Sequence, residues 1–146
     1  MQNQTVQEHI TDIIEDFIVS RDQGQWYRIE GMFTETAYVD DQAITDEVPS
    51  KRAISSILYG WKRLIRDLYY GAKHSIIGMS VERKGKKEVA AESEVEARYY
   101  KMQEGKRYVL KLKGVYNYTF KKVAGKWKIA EVRFSEITRS FEPVGA

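Results

Sequence analysis

The chain has 146 residues, a net charge of +3, two histidines and no cysteine. That length fits one domain, 1–146, which buries about 70% of its unfolded surface and needs no staples; the missing thiols exclude disulfides and thiolate metal sites. Lysine and glutamate are interspersed, no apolar run reaches the roughly 18 residues of a membrane span, and no signal peptide precedes the first helical pattern, so the reading is a soluble, cytoplasmic protein without nucleic-acid or membrane partners.

Thr5-Val6-Gln7-Glu8 has the spacing of a helix-capping box. After it, Val6, Ile10, Ile13, Ile14, Phe17 and Ile18 recur as one helical stripe, and Asp22-Gln23-Gly24-Gln25 ends the helix with Gly24 as a left-handed cap. A short second helix carries Trp26, Ile29, Met32 and Phe33 on its apolar side. Thr34-Glu35-Thr36 is expected to turn the chain into a short strand, Ala37-Tyr38-Val39-Asp40. Asp41 to Pro49 has no period and reads as an acidic loop. Ser50 is the expected N-cap of a third helix, whose stripe is Ile54, Ile57, Leu58, Trp61, Leu64, Ile65 and Leu68.

From His74 onward the pattern is strand. Ser75 to Arg83 leads to a turn at Lys84-Gly85-Lys86-Lys87, and Glu88 to Met102 follows as a long strand. Val89, Ala91, Ser93, Val95, Ala97 and Tyr99 share one face of it, with Glu92, Glu94, Glu96 and Arg98 on the other. Arg107 to Phe134 is the most regular stretch. Tyr108, Leu110, Leu112, Tyr116, Tyr118 and Phe120 alternate with lysines and small polar residues, and Val123-Ala124-Gly125-Lys126 reverses the chain. The next strand changes parity, from Trp127 and Ile129 to Ala130, Val132 and Phe134, which predicts a β-bulge and a bent sheet. Helices followed by a strand meander make an α+β domain, three helices packed in the concave side of a mostly antiparallel sheet.

Several motifs in this order resemble the nuclear transport factor 2-like superfamily, in its SnoaL-like and scytalone dehydratase-like branch. They are Asp22-x-x-x-Trp26-x-x-Ile29, Met32-Phe33-Thr34 leading to Val39-Asp40, His74 opening a strand, Gly114-x-Tyr116, and Gly125-Lys126-Trp127-Lys128-Ile129. The resemblance covers about Val6 to Phe134. It implies a cone-shaped α+β barrel with an apolar pocket at its open end, and a homodimer through the convex side of the sheet, where Val109, Val115 and Val132 offer apolar area. It also implies a C-terminal segment that folds back over the mouth, with Phe141 as its plug.

For the site, the resemblance assigns His74 to water activation and Asp22 to orienting a pocket histidine. The plain readings are a strand-end histidine bonded to a backbone carbonyl and a helix-end cap. A ketosteroid isomerase comparison matches Asp41 to a general base; the plain reading is a solvated loop aspartate. Three departures stand out: Ala97 lies where the dehydratase pattern has a second histidine, Arg21 where it has a tyrosine, and Phe17 where the isomerase has its oxyanion-hole tyrosine. Tyr99, Tyr116 and Tyr118 are expected on the concave face as pocket lining, joined by Trp26, Tyr38 and Trp61. No Walker loop, HExxH or zinc spacing is present, so neither a metal nor a cofactor is expected.

Three functions follow. The first is a cofactor-independent acid-base lyase or isomerase for a small apolar or aromatic molecule, using His74 with Asp22 or Asp41. The second is a ligand-binding or sensing domain without chemistry. The third is a small subunit of an oxygenase-like complex, which the polar outer face of Glu92, Glu94, Lys111 and Lys113 disfavours. A His74 ring that lines the cavity within hydrogen-bond reach of a carboxylate favours the first; a ring facing solvent favours the second.

Overall fold

The first helix, α1 (Val6–Asp22), starts where Thr5 accepts the Glu8 backbone N–H at 3.1 Å, and it buries Ile10, Ile14, Phe17 and Ile18. Its successor α2 (Trp26–Glu30) is one turn long and seats Ile29 in the same core. The computed structural model describes residues 5–42 and 48–145. Residues 43–47 of the expected acidic loop lie outside them.

Six strands follow around a third helix: β1 (Phe33–Asp40), β2 (Ser50–Ala53), α3 (Ile54–Leu68), β3 (Gly71–Arg83), β4 (Glu88–Gln103), β5 (Lys106–Val123) and β6 (Lys126–Pro143). They form one sheet in the order β2-β1-β6-β5-β4-β3, antiparallel except for β1 beside β6. The sheet curls without closing, with the helices on its inner face. Among the described residues no helix is long and apolar enough to cross a membrane.

Among the described residues, single-residue bulges bend it at three places, and the parallel β1–β6 pairing also shifts register between Phe33 and Tyr38. Ala130 is the extra residue where Thr119 faces Glu131 but Phe120 faces Ile129, at the parity slip seen in the sequence. Ile137 is extra where Lys113 faces Thr138 but Gly114 faces Glu136, and Ile77 is extra in β3 against β4. Gly114 lies at the sharpest approach: a Cβ there would meet Phe134 Cζ at 2.4 Å and the Ser135 carbonyl oxygen at 2.6 Å. The two long hairpins turn at Glu104-Gly105 and Ala124-Gly125, all four with positive φ. Two successive left-handed residues match the twist of the flanking strands.

Inside the curl, Phe17 meets Phe33 and Tyr118 edge to face at 5.6 and 6.3 Å, and Trp61, Phe120, Ile129 and Phe134 close around them. Alternation is as the sequence indicates from Val89 through Tyr99 at odd positions and from Leu112 through Phe120 at even ones; at the start of β5 it is Val109, expected on the convex side, that is buried, while Tyr108 and Leu110 are only half-buried.

Four expectations fail. Ser50 does not cap α3; it opens β2, opposite Val39, because the short segment 50–53 satisfies its backbone better against the edge of β1. Thr34-Glu35-Thr36 is not a turn but the first half of β1, and Met32 and Phe33 lie beyond α2. Val132 is not on the convex side: the Ala130 bulge turns it into the core. Finally, the C-terminal segment does not fold back. It continues β6 along β5, where Leu110 faces Phe141, and the Phe141 ring stacks on Tyr108 at 5.1 Å while staying 50% exposed. The unpaired edge of β5 offers this segment a full ladder of backbone bonds, which a lid over the mouth would forgo.

Candidate active site

The end of α1 delivers Arg21 and Asp22 to the inner side of the sheet, beside the start of β3. The Asp22 carboxylate accepts the His74 backbone N–H at 2.6 Å and lies 2.6 Å from His74 Nδ1. A carboxylate offers only acceptors, so the network assigns the ring proton to Nδ1. Nε2 then carries a lone pair, and the Tyr99 hydroxyl, 3.0 Å away, donates to it. The His74 side chain is 1% exposed. Burial pushes its pKa below the ordinary value; the Asp22 hydrogen bond opposes this, and the nearby Arg21 cation adds to it. His74 is thus a neutral imidazole held by a carboxylate, with its basic nitrogen turned toward a phenol.

Across the strand pair, His74 sits opposite Ala97, the position of the dehydratase pattern's second histidine. Tyr99, two residues further along the same face, meets the imidazole edge to face at 5.4 Å. Burial pushes the hydroxyl pKa of Tyr99, Tyr116 and Tyr118 upward, so all three remain protonated donors at neutral pH.

Arg21 forms a second cluster. It is 2% exposed, its Nη1 donates to Tyr116 Oη at 2.8 Å, and its guanidinium lies over the Trp61 ring, 4.5 Å from the centroid. Burial disfavours the charge, but the Asp41 carboxylate and the hydrogen bond to Tyr116 oppose that, and the guanidinium stays protonated. Asp41 is itself 5% exposed, and its Oδ2 accepts the Trp61 indole N–H at 2.5 Å. It is therefore not a solvated loop residue: the indole draws it inward. Tyr118 exchanges a 3.0 Å hydrogen bond with Ser93.

The structure gathers His74, Asp22, Asp41, Trp61, Tyr99, Tyr116 and Tyr118 inside the curl. It does not gather the others. Trp26 packs against the core from outside and borders a surface groove of about 270 Å³ between α2 and α3, with Tyr27 and Tyr59. Tyr38 faces outward under the Arg133 guanidinium, 4.7 Å away, and Phe141 lies at the far end of β6. His9 is exposed. The residue that sequence reasoning passed over is Arg21, seen there only as a departure from a pattern. A signal existed: Ile10, Ile14, Phe17, Ile18 and Arg21 are all buried, so Arg21 extends the apolar stripe of α1 by one turn. Among the described residues, no group of three or more histidine, aspartate and glutamate side chains converges to hold a metal ion.

Comparisons agree with this architecture. The sequence profile of the SnoaL-like domain matches residues 4–133. No functionally curated protein matches in sequence. Among solved structures, a putative scytalone dehydratase from Novosphingobium aromaticivorans superposes with a TM-score of 0.73 at 17% identity, over 94% of this chain and 91% of that one. The hexachlorocyclohexane dehydrochlorinase LinA-type3 from Novosphingobium barchaimii gives 0.77 at 13% identity, over 94% and 88%. A nuclear transport factor 2-like protein from Salmonella enterica serovar Typhimurium gives 0.73 at 14% identity, over 94% and 93%. At these identities the likeness establishes the fold.

Proposed function

The chain belongs to the SnoaL-like domain family, and on that premise we propose that it is a cofactor-independent acid-base enzyme, a lyase or isomerase for a small, largely apolar molecule. The observation that carries the proposal is the doubly held His74, with a carboxylate behind Nδ1 and a basic Nε2 in front. Two of the similar structures bear the names of eliminating enzymes, a dehydratase and a dehydrochlorinase.

In this reading His74 Nε2 removes a proton from a carbon next to an activating group, and the electron pair of that C–H bond becomes a double bond or an enolate. The resulting imidazolium is stabilised by Asp22 and returns its proton to the departing group or to another carbon. A neutral imidazole at physiological pH is the form this step needs, and a positioned base of this kind contributes about 10²–10⁴-fold. Because the Tyr99 hydroxyl occupies Nε2, a substrate must displace it or exchange its proton through it. That occupied nitrogen is also what favours the second reading, a binding domain whose histidine is simply satisfied.

Solvent deuterium exchange separates the two. Cyclic ketones and β-hydroxy ketones are incubated with the protein in heavy water and followed by NMR. The expected result is exchange at the activated carbon that falls at least about 100-fold in His74→Gln. Equal exchange by both proteins, or none by either, favours binding without chemistry. A homodimer through the outer face of the sheet belongs to the same proposal; it is supported by the exposed Tyr70 ring beside Tyr100 on that side, and a monomer mass by light scattering would overturn it.

A further inference from the structure

Among the described residues, Arg21 is a buried cation that pairs with no carboxylate. Its guanidinium has five N–H donors. Among the described residues it uses one in a hydrogen bond, to Tyr116, and Nε is buried with no partner at all. One face is covered by the Trp61 ring. Asp41 lends an electrostatic field, and its carboxylate accepts the Trp61 indole N–H. Asp22 is engaged by the backbone N–H and the ring Nδ1 of His74. A guanidinium serving the fold alone would be expected to meet a carboxylate in a two-pronged pair, or to be replaced by an apolar side chain of the same length.

Tyr116 adds a second donor. Arg21 can only donate, so Tyr116 Oη is the acceptor in their 2.8 Å bond, and its own O–H proton is left to point elsewhere. Among the described residues that proton has no acceptor. A planar cationic fork and a phenol thus adjoin, each with donors to spare, with the Trp61 ring against the guanidinium and the Phe134 ring 4.9 Å from that of Tyr116.

We propose that Arg21 and Tyr116 form a receptor for a planar organic oxyanion, a carboxylate or the enolate-type oxygen of an activated carbonyl compound, carried on a small aromatic or alicyclic body. The inference deepens the acid-base reading by naming the substrate class, and it rests on that reading only for the fate of the bound molecule. The fork geometry matches two coplanar oxygens, or one oxygen shared with the phenol. Arg21 directly precedes Asp22, whose carboxylate holds His74, so an oxyanion bound there would sit on the same side of the fold as the base. Negative charge developing on a carbonyl oxygen during proton removal would then meet donors already in place.

The test uses the full chain and needs no turnover. Benzoate and cyclohexanecarboxylate are titrated against the neutral isostere benzamide, by calorimetry or by quenching of tryptophan fluorescence. Benzoate is expected to bind at least tenfold more tightly than benzamide, and Arg21→Gln to bring the two within twofold. In a parallel arm, 4-nitrophenol is expected to bind as its yellow phenolate at a pH where the free compound is mainly neutral, and Tyr116→Phe to reduce that shift. Binding of benzoate alone assigns a carboxylate, and binding of nitrophenolate alone assigns an enolate-type oxygen. Equal affinity for benzoate and benzamide, with no ionisation of nitrophenol, overturns the proposal in the native protein, whether or not Arg21→Gln folds. So does an anion preference that persists in a folded Arg21→Gln. In His74→Gln the preference is expected to survive, which separates failure of this site from failure of the base.

Discussion

Asp22 holds His74 by two bonds: Oδ2 accepts the backbone N–H and Oδ1 faces ring Nδ1, each at 2.6 Å. One carboxylate thus ties the end of α1 to the start of β3 and also sets the tautomer of the imidazole. In Asp22→Asn one of the two acceptors becomes a donor. The His74 pKa is expected to fall further, since the Asp22 bond is what opposes its depression. An NMR titration of the ring protons measures this. Stability is expected to drop by about 1–3 kcal/mol, the cost of a buried donor left without a partner.

The same depression makes stability depend on pH. His74 binds a proton less readily folded than unfolded, where its ordinary value is 6.5. Above that value neither state is protonated and the full stability is present. As pH falls below 6.5, the unfolded chain takes up a proton that the folded one resists, and stability declines until the folded pKa is reached. The melting temperature is therefore expected to fall between pH 7.5 and 5.5, and to fall less in His74→Gln. An identical slope in both proteins would show that the loss arises elsewhere.

Gly114→Ala is expected to be costly for its size. The new methyl would lie 2.4 Å from the Phe134 ring and 2.6 Å from a backbone oxygen, at the bulge where β6 bends. Overpacking of this kind costs about 1–3 kcal/mol. Urea unfolding gives the value directly, and a midpoint equal to that of the native chain would mean the bulge can relax.

Truncation after Ser135 is expected to damage the fold rather than trim a loose end. Residues 136–143 pair with β5 from Tyr108 to Gly114. Their loss exposes a long strand edge, which favours association with other chains. A lower, less cooperative melting transition with increased light scattering is the expected result. An unchanged transition would show that this half of β6 contributes little.

Trp61→Phe keeps a ring under Arg21 but removes the indole N–H that Asp41 accepts. The loss of that donor in a buried site is expected to cost about 1–3 kcal/mol in thermal unfolding.

Much of this was visible in the chain itself, because the signals are local. Helical spacing from Ile10 to Ile18, period-two alternation from Val89 to Phe120 and the slip at Ile129–Ala130 each report which side of one element faces inward. Backbone geometry converts such spacing into a face without knowledge of the rest of the molecule. The motifs around Asp22, His74 and Trp127 carried the fold family for the same reason.

What the tertiary structure alone decided is which inward residues meet. Asp22 and His74 are 52 residues apart, and Arg21 and Tyr116 are 95 apart. Their contact depends on how far the sheet curls and where α1 ends against it, which no single element encodes. Ser50 and Phe141 were misplaced for a related reason: a free strand edge elsewhere in the fold offered their segments backbone hydrogen bonds that no local pattern announces. Arg21 shows both halves. Its spacing after Phe17 says that it points inward, while only the packed structure shows a buried cation there that meets no carboxylate among the described residues.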